Sequence, residues 1–118
     1  MSIAKQLSEV KSQLGDQTKL VAVSKTKPAA AISEAYEAGQ RIFGENKAQE
    51  LQWKAAELPK DIEWHMIGHM QSNKVKYIAS FVSLIHSVDK LSLLKEINKR
   101  ALQNDRTINV LLHQNLFS

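Results

Sequence analysis

Five short runs of apolar and β-branched residues recur along this chain, beginning near residues 19, 41, 62, 81 and 107, and a helical pattern fills the gaps between them. The runs Lys19–Ser24, Arg41–Gly44, Ile62–Ile67, Phe81–His86 and Thr107–Leu112 read as strands. Before the first, Ile3, Leu7, Val10 and Leu14 recur at helical spacing and Gly15 stops them, which predicts a helix over 2–14. Pro28 opens a second helix, with Ile32, Ala35 and Tyr36 on its inner face and Gly39 at its end. A third runs from Asn46 to Leu58 with Pro59 beyond it, and a short one covers Gln71 to Ala79. Asp89 is placed to cap the last, whose inner face is Leu91, Leu94, Ile97 and Ala101. Strands that are largely apolar along their length are covered on both faces, so the alternation predicts βαβ units and a parallel α/β sheet.

Two parallel folds fit this alternation. One is an open, doubly wound sheet, which five strands complete. The other is the N-terminal portion of a (β/α)8 TIM-like barrel, about five βα units of it. Whole barrels take ~250 residues, so a length of 118 favours the open sheet. Against it, neither G-x-G-x-x-G nor G-x-x-x-x-G-K-[ST] follows the first strand, so the nucleotide-binding versions of that fold lose support.

Composition closes several classes. At 43% hydrophobic and 24% charged residues the chain is globular rather than disordered. No apolar run approaches the ~20 residues of a membrane span. The first residues lack the apolar centre of a secretion signal, and no cysteine is present for a disulfide, a thiolate metal site or a nucleophile. A cytoplasmic protein without a membrane partner is expected. The net charge of +4 suits anionic ligands such as phosphates, but the cations are scattered and form no block.

Lys25 is the most informative side chain, because it falls at the carboxyl end of the first strand, where parallel α/β folds build their sites. Val21, Val23 and Lys25 share one strand face, and Leu20, Ala22 and Ser24 the other. Residue chemistry alone leaves two readings. In one, Lys25 turns into water as the strand ends. In the other it enters an apolar barrel interior, where desolvation favours the free amine and nucleophilic attack on an aldehyde.

The surrounding motifs add to this. Val21-Ala-Val-Ser-Lys-Thr-Lys-Pro28, Phe43-Gly-Glu-Asn46 with Gln49-Glu50, Trp64-His-Met-Ile-Gly-His-Met-Gln-Ser-Asn-Lys74 and His86-Ser-Val-Asp89 stand in an order and at separations that resemble the pyridoxal-phosphate homeostasis proteins, a family with an alanine-racemase-like barrel. The likeness runs from the first helix to about Asn115, so residues 1–118 are expected to form one partial cofactor-binding barrel domain. The resemblance implies pyridoxal 5′-phosphate as cofactor, held by Lys25 as a Schiff base. It further implies Asn46 beside the cofactor ring, with His65 and Ile67 lining the pocket. For Asn46 a helix cap and for His65 a hydrogen-bonded core histidine are the competing readings. Gln71, Asn73 and Lys74 belong either to the pocket mouth or to an exposed helix start.

The role so implied is a carrier in vitamin B6 homeostasis rather than a turnover enzyme, with PLP-dependent apo-enzymes as possible recipients. The alternatives are an amino-acid racemase or decarboxylase on the same fold and, distantly, a basic α/β module for nucleic acid. The latter is disfavoured by an aromatic content of 6% and the lack of a recognition motif. His65 and His69 do not make a zinc-protease pair, since Met66 stands where the glutamate would be, and no metal is expected. Trp53 is expected to pack with Leu51 and Leu58, and Trp64 to face the helical layer. The chain stops near the fifth strand, and Leu112–Ser118 only loosely resembles the family's continuation. Two open edges would then remain, and self-association is expected.

Overall fold

The computed structural model describes residues 2–112. Helix α1 (Ile3–Ser12) is capped by Ser2, whose hydroxyl accepts the Lys5 N–H. It is followed by strand β1 (Ala22–Val23), helix α2 (Ala29–Glu37), strand β2 (Ile42–Glu45), helix α3 (Ala48–Glu57) and strand β3 (Glu63–Met66). A 3-10 helix (Ser72–Tyr77), strand β4 (Leu84–Val88), helix α4 (Leu91–Gln103) and strand β5 (Asn109–Leu112) complete the described chain. Pro28 precedes α2 and Gly39, at φ +105°, ends it.

All five strands pair in parallel, in the spatial order β1-β2-β3-β4-β5. This order decides between the two folds. A doubly wound sheet reverses direction beside its first strand, whereas a barrel adds every strand on the same side of the last. The sheet is the N-terminal part of a barrel wall, and the expectation from length alone is overturned.

The register sorts the faces. Ala22, Phe43 and Trp64 are aligned, and so are Val23, Gly44 and His65. The first set points to the helices. Phe43 and Trp64 are buried with ring centroids 5.9 Å apart, and with Met66, Ile85, Leu51 and Ile97 they form the core between sheet and helical layer. Trp64 therefore faces the helices as expected. The second set points to what would be a barrel lumen. That face is open, and Val23 is 55% exposed.

Several local expectations are corrected. The ladder of β1 is only two residues because Leu20 is held by a side chain instead: the buried Gln40 amide donates to Leu20 O at 2.7 Å and Ile42 O at 2.8 Å. Phe81 and Val82 do not start β4, since their N–H groups bond back to Ile78 O in the turn that ends the 3-10 helix. Asp89 does not cap α4. Lys90 occupies that position, and Asp89 Oδ1 is buried with no hydrogen-bond partner among the described residues. The inner face of α4 turns on Leu93, Ile97 and Ala101, with Leu94 partly buried, while Leu91 is exposed in the first turn. Trp53 is also exposed rather than packed, because Leu51, Lys54 and Ala55 take the buried side of α3. Residues 113–118, the segment of loose likeness, lie outside the described residues.

Candidate functional site at the carboxyl ends of the strands

Extending the register two residues past the β1–β2 ladder and one residue past each of the next two aligns Lys25, Asn46, Ile67 and His86 in a single row at the carboxyl edge. Three of the four residues expected from sequence, Lys25, Asn46 and Ile67, thus stand together at the carboxyl edge. His65 is one layer deeper, in the row of Val23 and Gly44.

His65 is a buried, hydrogen-bonded histidine. Its Nε2 lies 3.1 Å from Glu63 Oε2, and its Nδ1 lies 3.4 Å from His86 Nε2. With Nε2–H of His65 donating to the carboxylate, Nδ1 is left to accept from His86. A chain Glu63–His65–His86 therefore crosses the sheet and ends in the Lys25 row. Sequence reading quoted His86 within a motif but gave it no role. The available signal was parity: alternation along two aligned strands brings both imidazoles to one face.

Burial pushes the His86 imidazole below its ordinary 6.5, and the adjacent His65 adds to the effect. The folded chain thus holds that proton less tightly than the unfolded chain. Stability is present above about pH 6.5 and is lost as the pH falls below it. Glu50 acts the same way lower on the scale, because the hydrogen bond from Lys54 holds its carboxyl below the usual range despite partial burial. Thermal melts are expected to shift down first below about pH 6.5, with His86→Phe removing that step. An unchanged step in that variant would reject the assignment.

Asn46 is exposed and does not cap α3, whose N-terminal flanking residue is Lys47. Its side chain lies against Gly68, where an added Cβ would overlap Asn46 Oδ1 and come within 2.9 Å of the Asn46 carbonyl oxygen. The glycine after β3 is thus the space in which Asn46 sits. Gly68→Ala is expected to expel that side chain and destabilise the fold by about 1–3 kcal/mol, measured by chemical unfolding. Beside it, Asn46, Lys47, His69, Gln71 and Lys74 help to line a cleft of about 240 Å³ that takes in Asn46 but none of Lys25, Ile67 and His86.

Lys25 itself is exposed on the open face. It does not enter an enclosed apolar interior, because the described strands form only one wall. Its flanks, by contrast, are firmly held. Ser24 is buried, its N–H donates to Gly44 O at 2.9 Å, and its hydroxyl bonds the Glu45 carboxylate. Thr26 has φ +63°, a costly conformation for a β-branched residue. Its N–H donates to Glu50 Oε2 at 2.9 Å and its hydroxyl to Lys25 O at 2.6 Å. Lys54, only 1% exposed, joins these anchors, donating to Glu45 Oε2 at 2.9 Å, Glu50 Oε2 at 2.7 Å and Ser24 O at 2.8 Å. The sequence reading missed this cluster entirely. The Glu50–Lys54 spacing of four was visible, but it is also the commonest pattern of an exposed helix pair.

The model of the alanine racemase N-terminal domain matches residues 1–116 of this chain. The chain belongs to that family. Among curated relatives, pyridoxal phosphate homeostasis proteins of Aquifex aeolicus and Pseudomonas aeruginosa are each 46% identical to it, over 99 and 98 residues, or 83% and 82% of this chain. The match covers 43% of each of those proteins, so this alanine racemase N-terminal domain spans less than half their length. The structure of PipY from Synechococcus elongatus solved with PLP bound superposes with a TM-score of 0.86 at 45% identity, covering 92% of this chain and 52% of that one. The PipY structure without PLP gives a TM-score of 0.87. Both agree with the partial barrel wall that the strand order establishes. No helix among the described residues is long and apolar enough to cross a membrane.

Proposed function

We propose that this chain binds pyridoxal 5′-phosphate through Lys25 and serves vitamin B6 homeostasis in the cytoplasm as a carrier rather than a turnover enzyme. The observation that carries the reading is the row of Lys25, Asn46, Ile67 and His86 at the carboxyl edge of a parallel sheet. The donor set fits the aldehyde end of the cofactor: a primary amine with its neighbours fixed, an amide, and an imidazole joined to a second imidazole and a carboxylate. The PLP-bound PipY structure, similar over 92% of this chain, supports the same cofactor.

When bound, the cofactor supplies an aldehyde carbon that condenses with the Lys25 amine, releasing water and leaving a Schiff base that hydrolysis reverses. Asn46 offers its amide to the polar edge of the ring, Ile67 gives an apolar contact, and His65 acts through His86 by accepting or returning a proton at Nδ1. Reversible condensation suits storage and delivery, and PLP-dependent apo-enzymes are the recipients this role calls for.

Borohydride reduction of the chain with pyridoxal 5′-phosphate, followed by peptide mass spectrometry, is the test. One fixed adduct on Lys25 is expected, lost in Lys25→Ala with little change in unfolding midpoint. An adduct on Lys27, or one scattered over surface lysines, would overturn the assignment. The loaded chain is expected to leave the chirality of an L-amino acid unchanged.

A further inference from the structure

We propose that Lys54 is a positioning residue for Lys25, clamping the two peptide units that flank it. The inference rests on the reading of Lys25 above and goes beyond it, since Lys54 lies in the helical layer, on the far side of the sheet from the open face.

The geometry supplies the reason. Lys54 projects from the buried side of α3 and has three acceptors: Glu45 at the end of β2, Glu50 one turn earlier on its own helix, and the Ser24 carbonyl. The carbonyl of Ser24 belongs to the peptide that precedes Lys25. The N–H of Thr26, in the peptide that follows it, is held by the same Glu50 oxygen that Lys54 grips. The residue between is thus fixed from both sides without its own amine being used. A left-handed Thr26 is costly, and backbone strain persists only where its surroundings over-determine it. Here the determinants are named: Glu50 on the amide, the Thr26 hydroxyl on the Lys25 carbonyl, and Lys54 holding Glu50 in place.

The buried location also argues against Lys54 as a simple stability device, because buried ion pairs rarely outperform well-packed apolar replacements. What such a pair provides is orientation. A lone Lys54→Met strands the Glu45 carboxylate and endangers folding, so the informative variant is Glu45→Gln/Lys54→Met, which leaves no fully buried charge unpaired, Glu50 being partly exposed to water.

Two readouts apply to the full chain. In the double variant, exchange of the Thr26 amide hydrogen is expected to accelerate roughly tenfold or more, as its carboxylate partner loses its anchor. After treatment with pyridoxal 5′-phosphate and borohydride, the preference for Lys25 over Lys27 is expected to fall by a similar roughly tenfold factor, with the thermal midpoint near that of the parent. Unchanged Thr26 protection together with unchanged Lys25 preference in a folded double variant overturns the proposal. A parent chain that never labels at Lys25 overturns the cofactor assignment instead. In that case faster Thr26 exchange still supports the clamp and unchanged exchange still rejects it.

Discussion

Passed alone over a sizing column with light scattering, the 118-residue chain is expected to elute as a dimer or larger assembly at micromolar concentration. The outer strands of the described sheet, β1 and β5, each have one edge without a strand partner. The face that a complete barrel would line is open as well, with Val23 55% and Leu111 50% exposed. Each aliphatic side chain left in water forgoes ~1.5–3 kcal/mol, and a few such losses rival the ~5–15 kcal/mol of net stability a domain has. No charged residue interrupts Val110-Leu-Leu112 at the outer strand. Two copies placed open face to open face cover the apolar rows of both. On the proposed function, the same exposure is expected to weaken binding of pyridoxal 5′-phosphate compared with a relative of twice the length, as read by titration. A monomer that unfolds cooperatively and binds the cofactor tightly would overturn both expectations.

The single substitution Lys54→Met is expected to cost about 3–5 kcal/mol. The parent residue is 1% exposed and Glu45 is fully buried, so removing the cation leaves a carboxylate in a low-dielectric interior with only the Ser24 hydroxyl beside it. Glu45 Oε1 already has no hydrogen-bond partner among the described residues, which leaves no reserve to absorb the loss. The double variant Glu45→Gln/Lys54→Met is expected to regain most of the stability, because the damage comes from the stranded charge rather than from the missing contact. Denaturant midpoints of the parent, Lys54→Met, Glu45→Gln and the double variant close this cycle. Equal midpoints for parent and single variant would show that water reaches the pair.

Much of the scaffold was legible because it depends on local periodicity. All five strands fall within or beside their sequence-read runs, and Pro28 and Gly39 bracket α2 as their backbone preferences require. Lys25 and Asn46 were legible as a pair, since a parallel sheet brings every strand's carboxyl end to one edge. The choice between open sheet and barrel was not available to periodicity, because both folds share the βαβ unit and differ only in where the next strand is laid. Trp53 and Leu91 were misplaced for a simpler reason. An apolar residue at the margin of a helix face is buried only if something is packed above it, and here nothing among the described residues is. The Lys54 cluster escaped because burial of a lysine depends on three acceptors from three separate segments, Ser24, Glu45 and Glu50, which only the folded chain assembles.

The spatial order of the strands also bears on how the chain is made. A sheet whose order in space equals its order in sequence is never entered from the middle, so each new strand docks on an edge that already exists. A doubly wound sheet must keep an edge of its first strand vacant until a much later segment returns to it. Here the pairing partner of β2 has always been synthesised before β2, and the same holds for β3, β4 and β5. At ~5–20 residues per second on the ribosome, one βα unit emerges every few seconds, long compared with hairpin-scale and helix-scale ordering in microseconds. The wall can therefore grow vectorially behind the tunnel exit, one unit at a time, with every new strand added at the edge that advances from β1 towards β5 while the outer edge of β1 stays unpaired.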